Sequence, residues 1–290
     1  MDIQIVILMQ AMVQGVMLGL VYGLMGLGIT MVFSITRLLN FAHGDFMALA
    51  MYLCLALYHS IRLDPYLSAL ITTPLLFLFG AFIFQVLFRR VLRAHILMVI
   101  QLTLGMVFVI ENSLLLGFGA DYESIPTFLT AGKIHLGPLV IRAPHLVAFF
   151  MGGSIAIGLF WALQNTHLGR SIRAIAQNPD AAKLMGINVG RIQMLVFAGA
   201  IGLLGLSGPL VIPIMTMTPF MGLHLTLFSF IVFVMGGIGN FLGTILAGVI
   251  LGVAESMGLL YLGGNLALVV PYGCFVLVLL LRPQGLLGER

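Results

Sequence analysis

Residues 3–46 read IQIVILMQAMVQGVMLGLVYGLMGLGITMVFSIT-RLLNFAHGDF. No side chain between Ile3 and Thr36 carries a charge. Arg37, Asn40, His43 and Asp45 then arrive together, and apolar sequence resumes through Tyr58. A membrane-crossing helix needs about 20 apolar residues at roughly 1.5 Å of rise each. The first stretch meets that requirement. It lacks the basic start of a secretory signal and is too long for one, so it reads as a retained transmembrane helix. Hydrocarbon admits polar and ionisable groups only where they face a bundle interior or a water-filled path. The polar knot Leu38–Phe46 is therefore the first place to look for function.

Composition extends that reading to the whole chain. Mean hydropathy is +1.18, 61% of residues are hydrophobic and only 8% are charged. Soluble domains carry roughly 25% charged residues, so this is a polytopic membrane protein without a soluble domain of useful size. The polar stretches 120–143 and 164–191 are too short to fold alone. The net charge of +4 sits in short loops, as the positive-inside bias produces, and does not point to nucleic acid. Neither the methionines nor Cys54 and Cys274, both expected to be buried small hydrophobes, show metal-ligand spacing. No metal site is expected.

Apolar segments predict spans near 5–33, 45–60, 66–88, 96–118, 144–163, 192–212, 224–240, 241–261 and 264–281, about nine in all, with eight or ten as alternatives. The pair on either side of residue 240 has no charged loop between its members. One basic cluster holds Arg89, Arg90 and Arg93. A second holds Arg170, Arg173, Lys183 and Arg191. Two spans separate these clusters, and four more reach Arg282 and Arg290, so all three groups fit the cytoplasmic side. The expected fold is an all-α transmembrane bundle with its N-terminus outside and its C-terminus cytoplasmic. Residues 1–290 are expected to form one transmembrane domain with an external loop at 120–143 and a cytoplasmic loop at 164–191.

Gly15, Gly19 and Gly23 recur every four positions on the first helix, and Gly239 with Gly243, then Gly248 with Gly252, repeat that spacing. Small residues so placed let helix backbones approach closely where no hydrophobic effect drives association. In the external loop, Lys133–Arg142 alternates around Gly137-Pro138 and predicts a small hairpin.

A helix confined to Asp45–Ser60 would rise only about 24 Å, short of a ~30 Å core. Either it begins inside the membrane or it carries the knot inward, and both place His43 and Asp45 below the interface. In the first arrangement, irregular backbone lines a cavity, and a half-helix N-terminus directs N–H groups and a positive dipole end at an anionic group. The competing reading is that Asn40, His43 and Asp45 only tie helices together. Glu111 and Glu255 are further carboxyls in apolar spans. With His43 and Asp45 they are also candidates for a proton relay.

Within the loop 164–191, Asn178 is an N-cap, Pro179 suits the first helical position and Asp180 complements the dipole. Ala181 to Met185 favour helix, and Gly186 is a natural stop. The result is a short amphipathic helix in a basic loop, either a docking element or a plain connector.

Asn40-Phe-Ala-His-Gly-Asp45, following a glycine-rich first helix, resembles the signature of the permease subunits of branched-chain amino acid ABC importers. Arg173-Ala-Ile-Ala-Gln-Asn-Pro-Asp-Ala-Ala-Lys-Leu-Met-Gly-Ile187 resembles that family's cytoplasmic coupling segment. Val234-Met-Gly-Gly-Ile-Gly-Asn240 running into Gly243, and the ending Arg282-Pro-Gln-Gly-Leu286, are two further matches. Together they span the chain, and the likeness is to the shorter LivH-type permease, since no N-terminal extension precedes the first helix. The family's first motif commonly ends in Glu; here Asp45 keeps the charge with a shorter reach.

The resemblance implies an alternating-access subunit that forms half of a pathway for branched-chain or other hydrophobic amino acids in a bacterial inner membrane. Asn40, His43, Gly44 and Asp45, in the first motif, and Glu111 and Glu255, the carboxyls in apolar spans, are the pathway or gate candidates. The resemblance implies ATPase coupling through Arg173, Asn178, Pro179, Asp180, Ala181, Ala182 and Gly186. The implied partners are a second homologous permease, two cytoplasmic ABC ATPases and an external solute-binding protein. The chain carries no Gly-x-x-x-x-Gly-Lys-Ser/Thr loop, so ATP and Mg are expected on the partners and no cofactor on this chain. A urea or short-amide permease, a self-sufficient ion-coupled transporter and a passive channel are the rival readings.

Overall fold

A computed structural model of the chain describes residues 3–288 apart from residues 93, 131 and 138. Arg93, Arg290 and Pro138, named above, lie outside the described residues. Eight of the described helices are long and apolar enough to cross a membrane, and Leu266–Leu281 is a shorter apolar helix. The chain is thus a polytopic helical bundle.

In order, the helices are α1 (Ile3–Thr36), α2 (His43–Ile61), α3 (Pro65–Ile83), α4 (Ile96–Phe118), α5 (Ala143–Asn165), α6 (His167–Gln177), α7 (Pro179–Leu184), α8 (Val189–Val211), α9 (Gly222–Gly236), α10 (Phe241–Tyr261) and α11 (Val269–Leu281). α3 continues through a π-helical turn, Phe84–Phe88, into Arg89–Val91. The strands β1 (Lys133–Leu136) and β2 (Leu139–Arg142) pair antiparallel, with Lys133 opposite Arg142. This is the hairpin that the alternation around Gly137 predicts, and Gly137 takes φ +62° at its turn.

The hairpin marks one end of the bundle. The Gln10 side chain pairs with both main-chain groups of Val140. Asp64 caps α3 through Tyr66 N (3.0 Å) and accepts from Phe128 N (3.1 Å). A two-way backbone pairing of Glu123 with Met217 ties the loop after α8 to the same end. α6, α7 and the α9–α10 turn lie at the opposite end.

α1 is the central element. It packs most extensively on α10, and also on α8, α9 and α5. The α1–α10 contact is backbone to backbone. A Cβ on Gly15 would lie 2.7 Å from Val253 Cα, and one on Gly19 would lie 2.6 Å from Val249 Cα. Gly248 and Gly252 answer from α10, where a Cβ would meet Gly23 Cα at 2.6 Å and Gly19 Cα at 2.5 Å. Gly23, with Ile245 Cα at 3.3 Å, is slightly looser. Gly243 packs on the Gly236 carbonyl.

Two expectations are corrected. Gly239 does not pack helices: it lies in the α9–α10 turn at φ +86°, where a left-handed backbone favours glycine. Cys54 is buried, but Cys274 is only half-buried. The α9–α10 turn also supplies the break that no charged loop marks. Leu286 N donates to Met235 O (2.8 Å), and Asn240 Nδ2 donates to Leu287 O (2.7 Å), so residues 282–288 strap the turn.

Candidate functional site

The knot is a re-entrant turn that starts α2 inside the bundle. α1 ends at Thr36, and Arg37 reverses the chain at φ +54°, its guanidinium 5.6 Å from the Phe33 ring centre. Asn40 then folds the following turn. Its Oδ1 accepts from Ala42 N (3.1 Å) and its carbonyl from His43 N (3.3 Å). His43 Nε2 lies 3.0 Å from Met25 O. A carbonyl only accepts, so the proton is on Nε2. The ring rests on Gly28, where a Cβ would come within 2.8 Å of Cε1.

Depth follows from helix rise. Met25 lies about 16 Å along α1 from Thr36, and Thr226, which meets Gly44, lies about 15 Å along α9 from Gly236. The knot therefore lies about three helical turns in from the ends of α1 and α9, within the bundle.

Sequence reasoning missed three partners that fix this turn: Gly28, Gly222 and Thr226. Gly44 N donates to Thr226 Oγ1 (2.8 Å), which donates to Phe41 O (3.1 Å). Gly44 must be glycine because a Cβ would overlap the Gly222 carbonyl and Thr226 N. Gly222 in turn leaves room for the Asp45 carboxylate. The first-turn donors of His43 and Gly44 are thus occupied within the protein. Asp45, fully buried, has no hydrogen-bond partner on either oxygen, and Asn40 Nδ2 has none. A buried unpaired carboxylate is costly, which makes Asp45 the outstanding electrostatic demand of the knot.

Thr226→Val keeps shape but leaves the Gly44 N–H without a partner, at a cost of about 1–3 kcal/mol. Its unfolding temperature in detergent is expected to fall, and Thr226→Ser to stay near wild type.

Glu255 is also buried but stands in a second cluster. Its Oε2 accepts from Tyr22 OH at 2.7 Å. Phe228 packs against Tyr22 (5.1 Å), His224 (4.5 Å) and Tyr272 (6.0 Å). α9 runs between the two carboxylates, with Thr226 bonded at the knot and Phe228 on Tyr22. Glu111, half-buried on α4, packs in neither cluster's hydrogen bonds. His43 bonds to main chain and Glu255 to Tyr22, so among the described residues none of the four relay candidates bonds to another.

At the other end, Asn178 Oδ1 accepts from both Asp180 N and Ala181 N at 3.0 Å, with Pro179 beginning α7. Asp180 forms an exposed ion pair with Lys183 (2.9 Å), and Gly186 stops the helix at φ +82°. The cap, the start and the stop are where the sequence puts them. α6 was not foreseen. Thr166 caps it through Gly169 N (3.2 Å), and Ile172 and Ile175 bury its inner face. Ala182 seats α7 in the same apolar cluster with Met31, Ile35 and Val196. Arg173 is exposed but folds back on the chain, its guanidinium donating to Leu163 O and, at 3.3 Å, to Gln164 O. It anchors α6 to the end of α5. The outward surface is Leu184 and Met185, 89% and 82% exposed.

A helical bundle with a polar turn buried between its helices and a capped helix pair at one end has the build of a membrane transport subunit. The chain belongs to the family of permease components of branched-chain amino acid transport systems, whose model matches residues 11–279. It is similar to the high-affinity branched-chain amino acid transport system permease protein BraD of Pseudomonas aeruginosa, 29% identical over 97% of this chain and 96% of that protein. It is 27% identical to the permease protein LivH of Escherichia coli K12, over 99% of this chain and 97% of the relative. A probable branched-chain amino acid transport permease protein LivH of Methanocaldococcus jannaschii is 25% identical over 91% of this chain and 88% of its own length. No solved structure matches the chain. The chain is a transport subunit and a multi-pass protein of the inner (plasma) membrane.

Proposed function

We propose that this chain forms half of the translocation pathway of an ATP-driven importer for branched-chain or other hydrophobic amino acids. The family match from residue 11 to 279 carries the reading, and the substrate class follows the names of the relatives. A second homologous permease completes the pathway. Two ATPases, which hold ATP and Mg, dock on α6–α7 from the cytoplasm, and a solute-binding protein delivers substrate at the hairpin end. ATPase closure pulls on α7. Arg173 and the buried face of α6 pass that displacement to α5 and α1, and α1 carries Met25 and Gly28, the seat of His43 in the knot. The knot is then the gate of an alternating-access cycle, and the unpaired Asp45 carboxylate is the group that an opened pathway presents to a polar substrate end.

The four-part assembly with its binding protein is tested in proteoliposomes. Leucine uptake should need both ATP and the binding protein and should survive an uncoupler. Uptake by this chain alone, driven by a pH gradient, would overturn the reading in favour of an ion-coupled transporter. Uptake of urea or acetamide in place of leucine would move the substrate class. Orientation has its own check. In a background lacking Cys54 and Cys274, Gln177→Cys should label only from the cytoplasmic side and Tyr122→Cys only from outside; the reverse pattern would invert the topology.

A further inference from the structure

A cleft of about 380 Å³ opens between the end of α3 and the start of α8, away from both the knot and the exposed face of α7. Phe84, Leu92 and Met194 contribute apolar surface, and Arg89 and Arg191 contribute charge. Gln85 bridges the two helices through Nε2 to Met194 Sδ (3.1 Å). The π-helical turn Phe84–Phe88 forms one wall. Phe84 opens this turn and Arg89 follows it, and both line the cleft. Neither arginine has an acidic partner: the ion pair among the described residues is Lys183 with Asp180.

The depth of the cleft identifies its occupant. Above it, α3 turns an outward apolar stripe to its surroundings: Leu75, Leu78, Phe82 and Val86 are 45%, 67%, 62% and 36% exposed. In a multi-pass protein that stripe faces acyl chains. It ends at the exposed pair Arg89 and Arg90. The cleft therefore straddles the boundary between hydrocarbon and headgroups, with its apolar residues on the chain side and its cations on the headgroup side. Cationic pockets between helices at this level suit anionic lipid headgroups, and a guanidinium matches a phosphate by paired N–H donation.

We propose that this cleft binds one anionic phospholipid, with Arg89 and Arg191 on its phosphate and Phe84, Leu92 and Met194 against the upper part of its chains. The site does not depend on what the subunit transports.

The test uses the assembled importer in nanodiscs of phosphatidylcholine with graded phosphatidylglycerol, reading retained lipid by native mass spectrometry. Wild type should retain phosphatidylglycerol in preference to phosphatidylcholine. At about fivefold per arginine, Arg89→Ala with Arg191→Ala should weaken retention about thirtyfold. Arg170→Ala, outside the cleft, should leave it unchanged. Arg89→Lys with Arg191→Lys keeps both charges and should retain most of the binding, which separates a charge effect from misassembly. Equal retention by wild type and the double alanine variant would overturn the site. So would displacement of the lipid by millimolar inorganic phosphate, or a wild-type assembly with no retained lipid because a sister subunit covers this face.

Discussion

Gly19→Leu should yield no monodisperse permease after detergent extraction, whereas Gly158→Leu should purify as wild type does. Both residues are helical glycines in membrane-crossing segments. A Cβ on Gly158 meets nothing within 4 Å, while one on Gly19 meets the Gly248 carbonyl and Val249 Cα at 2.6 Å. Those are main-chain atoms, so no rotamer change relieves the clash and α1 must move away from α10. Overpacking in a core costs about 1–3 kcal/mol where side chains can adjust, and here they cannot. Separating the helices also removes the close approach that replaces the hydrophobic effect in lipid. The loss spreads because the same helix carries Met25 and Gly28, the seat of His43, and Tyr22, the partner of Glu255. Fluorescence-detected size exclusion of the two variants, side by side, reads the result. A monodisperse Gly19→Leu protein would remove the glycine seam from its place as the organiser of the bundle.

The second large effect concerns α7. Leu184→Glu with Met185→Glu should abolish binding-protein-stimulated ATP hydrolysis and uptake while leaving the permease folded. Both side chains are exposed, so the substitution disturbs no internal packing. If they anchor the ATPase, two buried apolar contacts become two desolvated charges. Loss of an interface hot spot costs about 2 kcal/mol or more, roughly thirtyfold in affinity. Asp180→Ala removes only an exposed ion pair, worth about 0–1 kcal/mol, and should have little effect on stability. Co-purification of the ATPases, followed by ATP turnover, separates failure to dock from failure to couple. Unchanged turnover in the double glutamate variant would return α6–α7 to a surface connector.

Features written in short-range chemistry were readable before any coordinates. Asn178, Pro179 and Gly186 frame α7 because a cap, a fixed φ and a left-handed stop each act within a few residues. Gly137 turns the hairpin for the same reason, and the apolar runs delimit the helices because bilayer thickness sets their length. The partners of the knot were not readable. Gly28, Gly222 and Thr226 lie on helices apolar on most faces, so periodicity does not say which side meets α2. The charges of α6 read as loop, although Ile172 and Ile175 keep helical spacing. Arg173 read as one of a basic loop cluster, and only tertiary placement brings the carbonyl end of α5 within its reach. Gly239 kept a packing interval by coincidence with a turn.

Hydrogen bonds from residues 286 and 287 back to Met235 and Gly236 also set an order of events. The corner joining α9 to α10 is closed by amino acids incorporated about 50 residues after it. Until synthesis has passed Leu287, its carbonyl groups must be served by water or by an insertion factor. A ribosome stalled near Arg282 would therefore hold a subunit that is threaded through the lipid but not yet latched.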